Sequence, residues 1–511
     1  MRGKTGIFTL LLLCGLAFGQ VFGQAVTWTP AHPTVDDSVV ITYNAALGNG
    51  ALSGVDPVFL HTGVITSLST DPGDWDHQVA AWDAGYDSST VLTFQGNDVH
   101  EIGIRPRNFY GIGQTEEIRA LAMVFRNELS TIAGLDANGG DFFIPIFPDS
   151  NFSAIFAAPL EVPEILTLND QITFDVQANE PALITVFQDG VPVAQSPGLT
   201  QAFSMTLTGG GYGVHELHFT ADHGLTVYTD TTYYVVQPPI SIQNVPTGLR
   251  DGINYINDST VTLVLNAPGK GYVYAIGDFS DWRMDPAYLM NKTPDNERFW
   301  VEIGGLTPGQ EYRFQYFVDH QVRIGDPYAE KVLDQWNDGG VNSVVYPNLI
   351  AYPAGKTAEL VTTFQTAQQP YNWQNNNFQR PDNRDLVIYE LLIRDFVIRH
   401  DYATVIDSLD YLQKLGVNAI ELMPINEFDG NQSWGYGPAY FFAPDKYYGT
   451  KAKLQEFVDE CHGRGIAVII DVVFNHAFGQ NPMVRLYQDR NTLDVTPDNP
   501  WFNLDAPHPL G

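Results

Sequence analysis

The stretch Ile466-Ala-Val-Ile-Ile-Asp471-Val-Val-Phe-Asn475-His476 decides how the C-terminal part of the chain folds. It is an almost unbroken apolar run that ends in polar groups. Two runs of the same kind precede it, Leu386–Ile393 (LVIYELLI) and Val417–Ile425 (VNAIELMPI). Between the first and second, Tyr402–Leu415 carries Ile406, Leu409, Leu412 and Leu415 at helical spacing, with Gly416 at its C-terminal end. A polar, aromatic loop follows the second run. Thr450 then caps a helix predicted over Lys451–His462, which stops at Gly463 and Gly465. The order is β-α-β-α-β. Continuous apolar strands suit burial on both faces, so the sheet is predicted to be parallel.

Upstream, the pattern is different. Residues 24–150 hold short β-branched segments separated by Gly, Asp and Asn, among them Val39–Tyr43, Val58–His61 and Leu121–Phe125. Residues 151–239 form a second such block, with Gln171–Val176 and Ala182–Phe187 read as separate strands. Gln237-Pro-Pro marks its end. Residues 240–370 form a third. The expected organisation is three all-β, sandwich-like modules followed by an α/β segment over 371–511.

The composition narrows the partners. There are 59 acidic and 26 basic side chains, for a formal charge of −33. Nucleic-acid binding needs clustered Lys and Arg to neutralise phosphates, so it is excluded as an expectation. Anionic membrane surfaces are disfavoured for the same reason. Residues 1–23 read as a secretory signal: Arg2 and Lys4, then the apolar Ile7–Phe18, then Gly19 and Gly23. That apolar run is too short to span a bilayer, and no later one is longer. The expected location is therefore secreted or cell-surface. Cys14 leaves with the signal, and Cys461 is left as a small hydrophobe on a helix face.

In a parallel sheet, chemistry collects where the strands end. After the second strand comes Ser433-Trp434-Gly-Tyr436-Gly-Pro438, then Phe441-Phe-Ala-Pro444. The third ends in Asp471, Asn475 and His476. Polar groups beside aromatic ones suit a sugar, with its apolar ring face and its fringe of hydroxyls. Asp471–His476 (DVVFNH) resembles the first signature of the α-amylase family, glycoside hydrolase family 13, whose fold is a (β/α)8 barrel. SWGYGP at 433–438, FFAP at 441–444 and YGT at 448–450 resemble its branching, debranching and trehalohydrolase-type branch.

The resemblance covers residues 386–511 and implies roles. Tyr436 resembles the tyrosine that stacks on the glucose ring next to the scissile bond. His476 resembles the histidine that bonds that sugar's primary hydroxyl. Asp471 resembles a supporting aspartate that orients an arginine, and Trp434 stands between packing and substrate contact. Asn475 resembles a calcium ligand of many members, which makes calcium the one candidate cofactor. Gly277-Asp-Phe-Ser-Asp-Trp282 resembles the immunoglobulin-like module that precedes such barrels, with Trp282 read as packing. Residues around His61, Trp75 and Trp82 resemble an N-terminal module of bacterial extracellular amylases.

The family's chemistry needs two carboxylates flanking the bond. Its nucleophile lies in a G-x-R-x-D motif and a further motif reads N-H-D; neither occurs in these 511 residues. The expectation is an incomplete barrel of about three of eight β/α units, truncated and without hydrolase activity, from a secreted, retaining enzyme acting on α-glucan. The competing reading is a non-catalytic extracellular protein that binds starch or glycogen.

Overall fold

The computed structural model describes residues 24–80, 82, 87–114, 116–160, 163–489 and 493–504. The expected signal, 1–23, lies outside the described residues. The chain forms two compact units: one runs to Thr66 and resumes over Pro72–Ser153, and the other takes Ser67–Asp71 and everything from Ala154.

The first unit has two sheets. Val26–Thr29, Val39–Asn44, Val99–Ile104 and Thr93–Gly96 make one, in that order. The other is built on the antiparallel pair Phe59–Thr66 and Ile118–Arg126. Alternate residues of both sheets share one core: Ile41 and Tyr43 from the first, Leu121, Met123 and Phe125 from the second. Trp75 and Trp82 are half-buried and flank the His61 ring at 5.2 and 5.4 Å.

The second unit opens with a seven-stranded arrangement around Gln171–Gln188. Two strands were expected here, and the structure has a single continuous one. Its first half pairs with Thr200–Thr208 and its second half with Gly213–Asp222, with a register shift between Gln177 and Ala182. Pro181 lies in that shift, where no ladder donor is required, so the chain stays extended and no turn forms. Two further sheets follow, centred on Thr260–Asn266 and on Glu311–Val318. Leu263, Leu265 and Phe299 from one meet Ala275, Phe314 and Tyr316 from the other in one core. Trp282 is buried among Tyr274, Met284 and Phe317, and its indole donates to Asp278 Oδ1 at 3.2 Å. It is a packing residue.

Asp326 is fully buried in this part. Its carboxylate accepts from the Tyr316 hydroxyl at 2.7 Å and from the Tyr328 N–H at 2.7 Å. Burial pushes its carboxyl up to about 6. The folded state therefore holds a proton that the unfolded chain releases near pH 4. This contribution is full below the unfolded value and is lost as pH rises through 6. Asp326→Asn should remove that dependence. Between pH 5 and 7.5, its stability relative to wild type should improve by about 1–3 kcal/mol in urea titrations. A constant difference over that range would refute the assignment.

The C-terminal segment forms a three-stranded parallel sheet, with strands Ile388–Leu391, Ala419–Leu422 and Ala467–Ile470 in sequence order. Tyr389, Leu391, Ile420, Leu422 and Val468 pack with Val405, Leu409, Leu412, Phe457 and Cys461 of the helices. Burial on both faces was expected; on the face away from the helices the structure buries Ala419 and Ala467 but leaves the edge strand open. That strand carries Ile388, which is 48% exposed, and Glu390, also exposed. The runs read as long strands include their approaches and exits, of which only the residues next to each strand, such as Met423 and Asp471, still bond across to a neighbour. The single helix expected over Tyr402–Leu415 is two, Tyr402–Asp407 and Leu409–Lys414. Ser408 separates them, because its hydroxyl bonds back to the Thr404 carbonyl and bends the turn. Thr450 caps helix Lys451–Gly463 by accepting the Lys453 N–H. Cys461 is fully buried on that helix, and burial pushes its thiol up to about 12. Among the described residues, no helix is long and apolar enough to cross a membrane.

Candidate functional site

The loop after Ala419–Leu422 is a folded hairpin. Bridges join Asn426 to Pro444 and Phe428 to Pro438. It stands on the third β-module through a small core of Ala329, Val332 and Leu360 with Ala439, Tyr440 and Ala443. Gly325 makes room for this contact: a Cβ there would meet the Tyr440 hydroxyl at 2.2 Å. A buried ion cluster reinforces it. The Lys446 ammonium bonds Glu427 and lies 3.2 Å from Asp338 Oδ1 of the module. Asp445, fully buried beside them, accepts the Tyr447 N–H at 2.7 Å, and burial pushes its carboxyl up to about 6.

This base holds Ser433–Pro438 over the strand ends. Gly435 has φ +91°, and a Cβ there would meet the Pro424 carbonyl oxygen at 2.3 Å. Arg394, just past the first strand, donates to the Gln432 carbonyl. The Tyr436 hydroxyl donates to Asp471 Oδ2 at 2.8 Å. The His476 Nε2 lies 2.6 Å from the Tyr436 carbonyl oxygen, which can only accept, so Nε2 carries the proton. The chain thus brings Tyr436, Asp471 and His476 together. His476 is buried, while Tyr436 is 36% and Trp434 60% exposed. Desolvation, then Asp471, then Glu390 and Glu421 push the Tyr436 hydroxyl up to about 12. It remains a donor at neutral pH.

Asn475 is exposed. Among the described residues, no three His, Cys, Asp or Glu side chains are grouped to hold a metal ion.

Glu390 and Glu421 were not singled out from the sequence. They are direct register partners on neighbouring strands, on the face away from the helices. Asp471, two positions past Ile469, continues that face. The signal was one carboxylate at the same place in each apolar run, IYEL and AIEL, which counting apolar residues passes over.

Residues 369–508 match the family model described as the α-amylase catalytic domain. This segment is similar to the α-amylase family. A malto-oligosyltrehalose trehalohydrolase of Saccharolobus solfataricus is 40% identical over 212 residues, which cover 41% of this chain and 33% of the relative. Isoamylase SU1 of Zea mays is 29% identical over 271 residues, covering 45% of this chain and 33% of the relative. The chain therefore spans about a third of the length of these curated relatives. Among solved structures, Group B Streptococcus pullulanase SAP aligns at 20% identity and a TM-score of 0.35, over 62% of this chain and 45% of that one. Residues 26–133 match a second family model, described only as a domain of unknown function.

Proposed function

We propose that the α-amylase-family segment is the opening part of a (β/α)8 barrel in an exported, retaining glycoside hydrolase of the debranching or trehalohydrolase type, acting on α-glucan. The single observation that carries this reading is the Tyr436–Asp471–His476 constellation at the ends of adjacent parallel strands, inside the family match. Tyr436 offers a half-exposed ring for a sugar's apolar face. Asp471 fixes that ring through its hydroxyl, and His476 fixes it through the backbone carbonyl. Glu390, Glu421 and Asp471 supply acceptors for sugar hydroxyls. On this reading the chain binds but does not cleave, because these residues include no pair assigned as nucleophile and acid.

Maltotetraose should protect residues 433–438 and 471–476 from hydrogen exchange in the wild-type chain, and not in Tyr436→Ala. An absence of protection in wild type would sink the reading. Reducing-sugar release from glycogen should not exceed that of a His476→Ala control, and clear turnover above it would overturn the inactivity.

A further inference from the structure

Among the described residues, four strands of the second β-module pair with one neighbour only, and three of these edges are blunted. Val191–Gln195 carries Pro192 and meets its neighbour through a register shift. Ala154–Ala158 is irregular after Phe156 and ends before Pro159. Glu164–Leu166 is three residues long and opens with an acidic side chain. Proline, bulges, short length and charge all keep an exposed ladder from pairing with another chain. The fourth edge, Thr200–Thr208, has none of them. It is nine residues long, holds no Pro, Gly or charged residue, and keeps one register from Ala202 to Thr208.

The side of this strand that faces away from its neighbour can be assigned. Just past the ladder, the Gly209 N–H donates to the Asp170 carbonyl at 2.8 Å. Antiparallel strands alternate, so Leu207, Met205 and Phe203 also bond inward. Thr208, Thr206, Ser204 and Ala202 then turn their N–H and C=O groups outward. Ala202 shows this directly. Its N–H donates to the Thr200 hydroxyl at 3.2 Å, and that hydroxyl donates to its carbonyl at 2.8 Å. The side chains tell the same story. Phe203, Met205 and Leu207 lie opposite the buried Val176, Phe174 and Ile172, yet they are only half-buried, because no strand continues the row.

Electrostatics and symmetry name the occupant. Residues 190–214 carry no charged side chain, in a chain that is 17% charged with a net charge of −33. Two copies repel one another over most of their surface, but along this edge they can meet without desolvating an ion. The strand also complements itself. Antiparallel pairing of two copies about Ser204 uses all nine residues and sets outward-bonding positions against each other. Thr200 lies opposite Thr208, Ala202 opposite Thr206, and Ser204 opposite its own counterpart. On the other face Phe203 meets Met205 twice, which covers the half-buried row. A twofold interface requires this kind of reciprocity.

We propose that Thr200–Thr208 is an interface for a second copy of this chain, formed by antiparallel strand addition about a twofold axis at Ser204. A single strand pair covers less surface than a standard interface, so the dimer is weak and concentration-dependent. Its salt response is opposite to that of a complex held by ion pairs. Screening the like charges of the two copies strengthens it.

The test is sedimentation velocity of the full chain over rising concentration, at low and at high salt. The expected result is a monomer–dimer equilibrium whose Kd falls about threefold or more as salt is raised. Ser204→Pro removes an outward N–H and no ladder bond. It should leave the urea midpoint near that of wild type and weaken the dimer at least tenfold. Ser204→Cys, at an exposed position, reads the register without disturbing the fold. With an added oxidant it should form a covalent dimer above the wild-type background, since opposed residues of a hydrogen-bonded pair have Cα atoms about 5.5 Å apart. Ala202→Cys should stay at background, because its counterpart lies four positions along the strand, about 13 Å away. A wild-type chain that stays monomeric at every concentration and salt would overturn the interface. So would a dimer that Ser204→Pro leaves intact, or one that salt dissociates. Equal cross-linking of Ser204→Cys and Ala202→Cys would overturn the twofold register.

Discussion

Lys446→Met should destabilise the second unit by about 3–5 kcal/mol, the usual cost of stripping one partner from a buried ion pair. The side chain is almost fully buried, and its ammonium is the cation facing Glu427, Asp338 and Asp445. Burial opposes its charge, but these carboxylates outweigh that and hold it protonated. Methionine fills a similar volume, so the loss is electrostatic and not a cavity. Two further measurements separate this from a general packing defect. Adding Glu427→Gln should recover a good part of the loss, because the double variant no longer buries an uncompensated charge. The loss should also shrink from pH 7.5 to pH 5, since Asp445 already takes up its proton near 6 and the lysine-free cluster titrates higher still. Equal losses at both pH values, with no recovery in the double variant, would show that the cluster is not what holds the hairpin.

That cluster also marks the limit of what could be read from the sequence. DVVFNH and SWGYGP are local, so Asp471, His476 and Tyr436 could be named, and the chain brings them within hydrogen-bond reach. Glu427, Lys446 and Asp338 are spread over more than a hundred positions, and no periodicity links them. Their partnership exists only once the hairpin lies on the module. Burial was misjudged for a related reason. An apolar run reports that a strand is covered somewhere, but whether it is covered on both faces depends on what stands opposite. Glu390 and Glu421 were the dissenting residues, one in each run, and they lie on the face that the helices leave uncovered. The helix break at Ser408 and the unbroken Gln171–Gln188 strand are errors of the opposite kind. There a single side-chain bond, or a tolerated proline, overrode a pattern summed over many residues.

Gly435→Ala should abolish maltotetraose protection of residues 433–438, although it adds only one carbon at a position that offers the sugar no side chain. With φ at +91°, an alanine pays about 1–3 kcal/mol in backbone strain alone. The added Cβ would also sit 2.3 Å from the Pro424 carbonyl oxygen, and that backbone belongs to the end of the second strand's segment and cannot swing aside as a long side chain could. The loop must therefore lift. Tyr436 is the next residue, so lifting the loop draws its hydroxyl from Asp471 and its carbonyl from His476 together. Two comparisons isolate this cause. Gly430→Ala meets a positive φ of 149° but no atom nearer than 3.7 Å, so it should cost stability without releasing Tyr436. Trp434→Ala removes an exposed ring and leaves the backbone alone, so the loop should keep its hydrogen-exchange pattern. In Gly435→Ala, exchange over 430–440 should rise at least tenfold, while Thr260–Asn266 in the module core stays unchanged. If Gly435→Ala and Gly430→Ala behave alike, backbone strain is sufficient and the collision with Pro424 is not what positions Tyr436. If both retain maltotetraose protection, the loop geometry is not what builds the site.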